Sequence, residues 1–143
     1  MCILRSRMTE KEDTGIKPIC ENRKARFNYQ ILDTFEAGIV LTGPEIKSIR
    51  AGGVSIAESY VRPERGELVI LQMHINPYEF NPHFREYEPE RKRKLLLHKR
   101  EIHQLQSAVE KKGLTIVPLK LYLKRSYAKV LIGLAREIGR AHV

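Results

Sequence analysis

Hydrophobic and polar residues alternate with a period of two in several short stretches of this chain, which is the pattern of β-strands with one buried face. Phe27, Tyr29 and Ile31 are separated by polar neighbours, and a largely apolar run over residues 35–41 ends in Thr-Gly. Because two such runs flank a short polar segment, the pattern predicts a hairpin that turns at residues 33–34.

The same reasoning predicts four more strands further along the chain. They cover residues 55–62, 67–73, 115–123 and 128–135. A Pro-Glu-Arg-Gly segment over residues 63–66 separates the first two and has the composition of a turn, so these two strands form a second predicted hairpin.

Two helices interrupt this β pattern. The first opens at Pro44, which is well placed at a first helical position, and it ends within two turns. The second spans residues 99–112, with His98 and Glu101 in capping-box spacing and Gly113 as its terminator. Six strands and two helices predict a mainly β domain, either a small barrel or a sandwich.

The remaining segments offer little to bury. Residues 1–21 show mixed charge without periodicity and are predicted to be a disordered leader. Residues 76–90 contain three prolines among polar residues and are predicted to be a mobile loop. One folded domain of ordinary size is therefore expected from the 143 residues.

Charge is the most unusual feature of the composition. The chain has 26 Lys and Arg against 17 Asp and Glu, a formal net charge of +9, so its field attracts polyanions. Nucleic acid is the expected partner, and a membrane surface is the alternative. No apolar run approaches the roughly 20 residues of a membrane-spanning helix. The only cysteines, Cys2 and Cys20, lack a metal-binding spacing, which favours a reducing cytoplasm.

Clustered cations mark candidate phosphate contacts. Six of them fall within ten residues: Arg91, Lys92, Arg93, Lys94, Lys99 and Arg100. This density could engage several phosphates, although a solvated loop would show the same pattern. Lys47 and Arg50, three apart on the first helix, are placed to face solvent or ligand. Aromatic residues at strand spacing are expected mostly in the core rather than stacked on bases.

One catalytic pattern is present. Asp33, Glu45 and Lys47 imitate the arrangement by which metal-dependent nucleases hold a divalent ion and activate water. The spacing arises easily by chance, and Glu45 is equally well explained as a negative charge at a helix N-terminus. We therefore expect a protein that is not an enzyme and uses no metal or cofactor.

Four sequence blocks occur together between residues 22 and 136. They read NRKARF, FEAGIVLTGPEIKSIRAG, RKLLLHKREI and GLTIVPLKLY. In this order they closely resemble the small protein B family, the SsrA-binding partners of transfer-messenger RNA. The resemblance implies a small closed antiparallel barrel of six strands with an oligonucleotide-binding-fold core, over residues 22–136.

The resemblance also implies site residues. The family residues needed for RNA binding fall here on Glu36, Leu96 and Lys129, with the motif asparagine at Asn22. Leu96 is expected to act as structural support, because an aliphatic side chain cannot form a hydrogen bond or an ion pair with phosphate. Adding the nearby cations, the predicted RNA-binding residues are Asn22, Arg23, Lys24, Glu36, Lys47, Arg50, Leu96, Lys129 and Arg136.

What the family does gives the expected function. It binds the tRNA-like domain of transfer-messenger RNA and brings it to stalled ribosomes for trans-translation, with elongation factor Tu carrying the aminoacylated RNA. The alternatives left open are a general single-strand RNA-binding barrel and, far behind, the nuclease.

Three departures from the family bear on this expectation, one of which is Pro44 before the glutamate, a change that the helix start tolerates. Phe27 stands where histidine is common, and residues 137–143 replace a long basic tail. We therefore expect RNA binding to survive and tagging of nascent chains to be impaired.

Overall fold

The computed structural model describes residues 15–138. Its strands are β1 (Ile16–Glu21), β2 (Tyr29–Ile39), β3 (Val54–Ser55), β4 (Tyr60–Glu64), β5 (Glu67–Leu71), β6 (His74–Ile75), β7 (Arg93–Leu96), β8 (Thr115–Lys124) and β9 (Tyr127–Glu137). Its α-helices are α1 (Arg23–Asn28), α2 (Gly43–Arg50) and α3 (Lys99–Lys112), with one 3₁₀ turn at Phe84–Glu86.

Six of the strands form a closed ring in which all neighbours are antiparallel. The order is β8-β4-β5-β7-β2-β9, and β9 pairs with β8 to complete the ring. Apolar side chains from all six strands fill the interior, and α3 adds Leu105 and Ala108 to the same core. The predicted mainly β, six-stranded antiparallel arrangement is therefore confirmed.

The predicted hairpin at residues 33–34 is wrong, because β2 runs without a turn through these residues. Its pairing with β9 shifts register between Ile31 and Asp33, which marks a β-bulge at Leu32. The extra residue moves Ile31 to the outer face while Phe35 and Ala37 point to the core. Polar Asp33 and Thr34 stand between apolar Ile31 and Phe35, so the sequence indicates a turn here and conceals the change of face.

Residues Ile16–Glu21 form a strand, so the predicted disordered leader is wrong for this segment. β1 pairs with the second half of β8, from Lys120 to Lys124, and covers a backbone edge that would otherwise be unpaired. Residues 1–14 of the predicted leader lie outside the described residues.

The segment that contains Phe27 is a helix, where the alternation predicted a strand. Asn22 caps α1 by accepting a hydrogen bond from the Ala25 backbone N–H at 3.1 Å. Ala25 packs on Val117 and Leu119 in a second, smaller core on the outer face of the ring. Ala25 is the one residue of α1 that is buried. A strand would bury every second side chain, so this pattern fits a short helix that lies on the sheet.

The other two helices agree with the sequence prediction. α2 begins after Thr42, whose backbone N–H donates to Glu45 Oε1 at 2.9 Å in a capping box. α3 covers the predicted residues and ends at Gly113, which adopts a left-handed conformation with φ of 67°. The start of α2 beside Pro44 and the end of α3 at Gly113 depend on residues close together in the sequence, and both were therefore predictable, whereas the cap of α1 was missed.

The second predicted hairpin is present, with differences at its ends. β4 and β5 join through Arg65 and Gly66, both with positive φ. The strand predicted over residues 55–62 is divided into β3 and β4, since Ser59 turns the chain by donating its Oγ–H to Ile56 O at 2.7 Å. β7 was not predicted, because its first two residues, Arg93 and Lys94, were assigned to the basic cluster.

Candidate nucleic-acid interface

A row of paired residues crosses four neighbouring strands on the outside of the ring. Leu96 of β7 pairs with Gly38 of β2, Gly38 pairs with Lys129 of β9, and Lys129 pairs with Tyr122 of β8. Directly paired residues of antiparallel strands point to the same side of the sheet, so all four lie on one outer face. The row is about 14 Å wide, at roughly 4.8 Å per strand step.

The adjacent row adds Glu36, which pairs with Leu131, which in turn pairs with Lys120. We call the outward residues of both rows, with Lys124 and Tyr127, the sheet face. It therefore brings together Glu36, Leu96 and Lys129, three of the predicted site residues, from strands far apart in the sequence.

Glu36 is held by hydrogen bonds on this face. It accepts the phenolic hydroxyl of Tyr122, and its Oε1 lies 3.5 Å from Lys124 Nζ. The Tyr122 hydrogen bond, with the nearby charges of Lys124 and Lys129, lowers the pKa of Glu36. Burial and the carboxylate together raise the pKa of Tyr122. At neutral pH the face therefore presents a fixed carboxylate among lysines.

Apolar and aromatic surface surrounds these charges. Leu96 is 51% exposed and Tyr127 is 71% exposed. Gly38 lies beneath Leu96: a Cβ added at Gly38 would be 3.4 Å from Leu96 Cβ. Leu96, which was predicted to be structural support, projects from the sheet in the same row as Lys129 and is available for contact with a ligand. Such a face suits a ligand with both planar apolar groups and negative charges.

Asn22 stands apart from the other predicted contacts because it is 5% exposed. Its Nδ2 donates to Pro118 O at 3.2 Å and to Ile56 O at 3.3 Å, while its Oδ1 caps α1. Every polar group of this amide thus has a protein partner. The side chain ties α1 to the ring, so the structure gives it a supporting position.

Arg23 and Lys24 are exposed on α1. Lys24 Nζ lies 3.2 Å from Glu58 Oε2, an ion pair in which both side chains remain largely exposed. Arg136 is exposed near the far end of β9, seven residues from Lys129 and hence roughly 24 Å away along the strand. These cations flank the sheet face and do not belong to its rows.

Lys47 and Arg50 are exposed on α2. Lys47 Nζ lies 5.4 Å from the centre of the Tyr78 ring. Neither residue belongs to the four strands of the sheet face, so the structure does not group them with Glu36 and Lys129.

The dense cationic cluster of residues 91–100 differs most from its prediction. Arg93 is buried, and its guanidinium donates to Glu45 Oε2 from Nη2 at 2.7 Å and from Nε at 3.0 Å. Arg91 Nη2 donates to Glu45 Oε1 at 2.6 Å. Lys92 pairs with Glu64 at 2.6 Å, and Lys94 pairs with Glu67 at 2.8 Å. Four of the six cations therefore already have carboxylate partners.

Glu45 is the centre of that arrangement. It is 1% exposed and also accepts the Tyr87 hydroxyl at 2.9 Å. Although burial alone would raise its pKa, hydrogen bonds from Arg91, Thr42 and Arg93 lower the pKa to about 2. Burial and the hydrogen bond to Glu45 raise the pKa of Tyr87 to about 12. The Glu45 carboxylate is thus ionised, and both of its oxygens already accept hydrogen bonds from the protein.

Comparison with known proteins identifies the fold and its relatives. A family model described as SmpB protein matches residues 19–141. The chain belongs to the SmpB family. An SsrA-binding protein of Carboxydothermus hydrogenoformans is 55% identical over 120 residues, covering 84% of this chain and 80% of the relative. An SsrA-binding protein of Thermus thermophilus is also 55% identical over 120 residues, covering 83% of each.

A solved structure gives the same answer for the fold. It is described as "tmRNA-SmpB: a journey to the center of the bacterial ribosome". Its matching chain is 52% identical and aligns with a TM-score of 0.68 over 87% of this chain and 90% of its own length. The six-stranded ring is therefore the fold of the SmpB family.

The nuclease alternative does not fit this member of the SmpB family. Both oxygens of Glu45 are taken by arginines, and Asp33 Oδ1 accepts from the Thr34 backbone N–H at 2.9 Å. No group of three or more His, Cys, Asp or Glu side chains within residues 15–138 could hold a metal ion. In the same range no helix is both long and apolar enough to cross a membrane.

Sequence reasoning missed Tyr122, Lys124 and Tyr127 as part of the SmpB sheet face. A usable signal was present in the second half of β8: Leu121 and Leu123 alternate with Tyr122 and Lys124, so burial of the leucines points the other two side chains outward. The expectation that strand aromatics belong to the core obscured it.

Proposed function

We propose that this chain binds the tRNA-like domain of transfer-messenger RNA through its sheet face and brings that RNA to stalled ribosomes for trans-translation. The observation that carries the proposal is the convergence of Glu36, Leu96 and Lys129 on one exposed surface of an SmpB-family ring. Relatives of about 50% identity are named for binding SsrA, and the similar solved chain comes from a tmRNA-SmpB ribosome structure.

The chemistry of the sheet face supports a folded RNA ligand. Lys129 supplies a positive charge for a phosphate. Leu96 and Tyr127 supply exposed apolar surface on which an unstacked base of a loop can rest. Glu36 repels phosphate, but it can accept hydrogen bonds from base amino groups or 2′-hydroxyls. A surface that mixes these groups favours a shaped loop region over a uniform phosphate backbone.

Four other predicted residues assist RNA binding from outside the sheet face. Arg23, Lys24 and Arg136 contribute phosphate attraction at the margins. Asn22 acts indirectly, by fixing α1 to the ring. We further propose that elongation factor Tu and the ribosome are partners and that the complex works in the cytoplasm, where stalled ribosomes occur.

Binding of the purified chain tests this proposal. Its affinity for the folded tRNA-like domain is compared with that for an unstructured RNA of equal length, at moderate salt. We expect the folded domain to bind much more tightly, and we expect Glu36→Ala and Lys129→Ala each to weaken that binding about tenfold, roughly the effect of losing one charge-assisted contact.

Lys111→Ala is the matched control, because Lys111 is an exposed cation on α3 away from the sheet face. Its loss should change affinity by less than about twofold. Equal binding of the two RNAs with a steep salt dependence would reject the proposal in favour of a general basic RNA-binding protein.

A further inference from the structure

A second surface of this molecule combines exposed aromatic rings with cations. It consists of Tyr78, Phe80 and Phe84 in the segment between β6 and β7, together with Lys47 and Arg50 on α2, and we call it the aromatic patch. Phe80 is 74% exposed and Phe84 is 41% exposed. None of its members lies on β2, β7, β8 or β9, so the patch is separate from the sheet face.

Hydrogen bonds hold the base of this segment against α2. Ser48 Oγ donates to Asn76 O at 2.8 Å, and the Asn76 backbone N–H donates to Gly53 O at 2.8 Å. A cavity beside these contacts is lined by Ala51, Gly53, Tyr78 and Phe84. The Tyr78 and Phe84 side chains therefore line a groove, and these hydrogen bonds fix the position of that groove next to α2.

Successive hydrogen bonds continue through the segment itself. The Asn81 backbone N–H donates to Tyr78 O at 2.9 Å, and the Phe84 backbone N–H donates to Asn81 O at 3.0 Å. The Tyr78 and Phe80 rings lie edge to face, with centroids 5.4 Å apart. This geometry spaces the rings along a folded segment and leaves the face of Phe80 open to solvent.

The charges of the patch indicate which ligand fits. Lys47 lies over the Tyr78 ring at 5.4 Å, and Arg50 is exposed one helical turn away. Glu79 borders the same groove, and Glu86 lies 3.0 Å from His83. Cations along the helix and aromatic rings along the loop match a single strand, with its phosphates on the α2 side and its bases on the rings.

We infer that the aromatic patch is a second RNA-binding surface, which takes unpaired nucleotides by stacking on Phe80 and Phe84 with their phosphates along Lys47 and Arg50. This goes beyond the proposed docking of a folded domain on the sheet face, since one molecule could hold a folded RNA and a single strand at once. An apolar protein ligand is the competing occupant, and the cations favour RNA over it.

A fluorescein-labelled ten-nucleotide oligouridine tests the inference by anisotropy with the full chain. We expect measurable binding that falls about tenfold in the Phe80→Ala/Phe84→Ala double variant, because each lost stacking partner weakens binding severalfold. Lys47→Gln should reduce the slope of log K against log salt by about 0.7, the value for one phosphate contact on a single strand. The phenylalanine variant should leave this slope unchanged.

Lys129→Ala is the control that separates this inference from the proposed function. It should weaken binding of the folded tRNA-like domain while oligouridine binding stays within about twofold of wild type, and the phenylalanine variant should do the reverse. Oligouridine binding that is absent, that survives loss of both rings, or that falls equally in Lys129→Ala would overturn the inference. Thermal melting of each variant checks that the exposed substitutions leave the fold intact.

Discussion

Glu45→Gln is the most informative single substitution for the stability of this protein. It removes the charge that partners Arg93, whose side chain has no exposed surface. A buried ion pair broken on one side costs about 3–5 kcal/mol, because the remaining charge is left uncompensated. The pKa of Glu45 gives an independent value: lowering from 4.5 to about 2 corresponds to about 3 kcal/mol at roughly 1.4 kcal/mol per unit.

The pH dependence follows from the direction of that shift. A carboxylate with a lowered pKa in the folded state stabilises the fold above its unfolded pKa, and this contribution disappears as pH falls through the folded value. The contribution of Glu45 is therefore complete above about pH 5 and lost between pH 4.5 and 2. The variant should lack this part of the acid sensitivity.

Urea denaturation followed by far-UV circular dichroism, at pH 7 and at steps down to pH 2, measures both effects. We expect Glu45→Gln to lose about 3 kcal/mol at pH 7, equivalent to roughly 10 °C in Tm for a chain of this size. Glu67→Gln is the matched control: it removes an exposed carboxylate 2.8 Å from Lys94 and should cost less than about 1 kcal/mol. A loss below 1 kcal/mol for Glu45→Gln, or an unchanged acid dependence, would refute this reasoning.

Three further predictions concern the interface and its support. Tyr122→Phe should weaken binding of the folded RNA severalfold with little change in Tm, because it removes the hydrogen bond that holds the Glu36 carboxylate in place. In a Glu36→Ala background the same substitution should have no further effect on RNA affinity. Lys92→Gln should change RNA affinity less than Lys129→Gln in the same filter-binding assay, since Lys92 is already paired; equal losses would contradict this. Asn22→Ala should lower the unfolding free energy by about 2–4 kcal/mol in urea titration, because it removes a helix cap and two buried hydrogen bonds at about 1 kcal/mol each.

The cationic cluster shows why the site was only partly predictable. Its residues are adjacent in the sequence, but Arg91 and Arg93 both pair with Glu45 of α2, which lies 46 and 48 positions earlier in the chain. Alternation along β7 turns Arg93 inward and Lys94 outward, a distinction that a count of positive charges cannot make. Charge density therefore overstated the number of cations available to RNA.

Bulges contribute to the differences around β2 and α1. One extra residue at Leu32, and another at Leu119 of β8, shift the register and exchange the faces of the sheet. The exchange creates an apolar strip on the outer face, and α1 covers it through Ala25. A bulge carries no strong local signal, so the sequence predicted a turn at 33–34 and a strand that began at Phe27, within the last two residues of α1.

The sequence by itself determined what depends on near neighbours: α3 with its glycine terminator, the capped start of α2, the turn of the second hairpin, the positive charge and the family blocks. Tertiary structure alone decided which groups face the ligand. Ring closure aligned Glu36, Leu96 and Lys129 on the sheet face and buried Arg93 against Glu45, and packing of the loop on α2 placed Lys47 over the Tyr78 ring. These outcomes depend on strand register, which is fixed by packing between residues far apart in the chain.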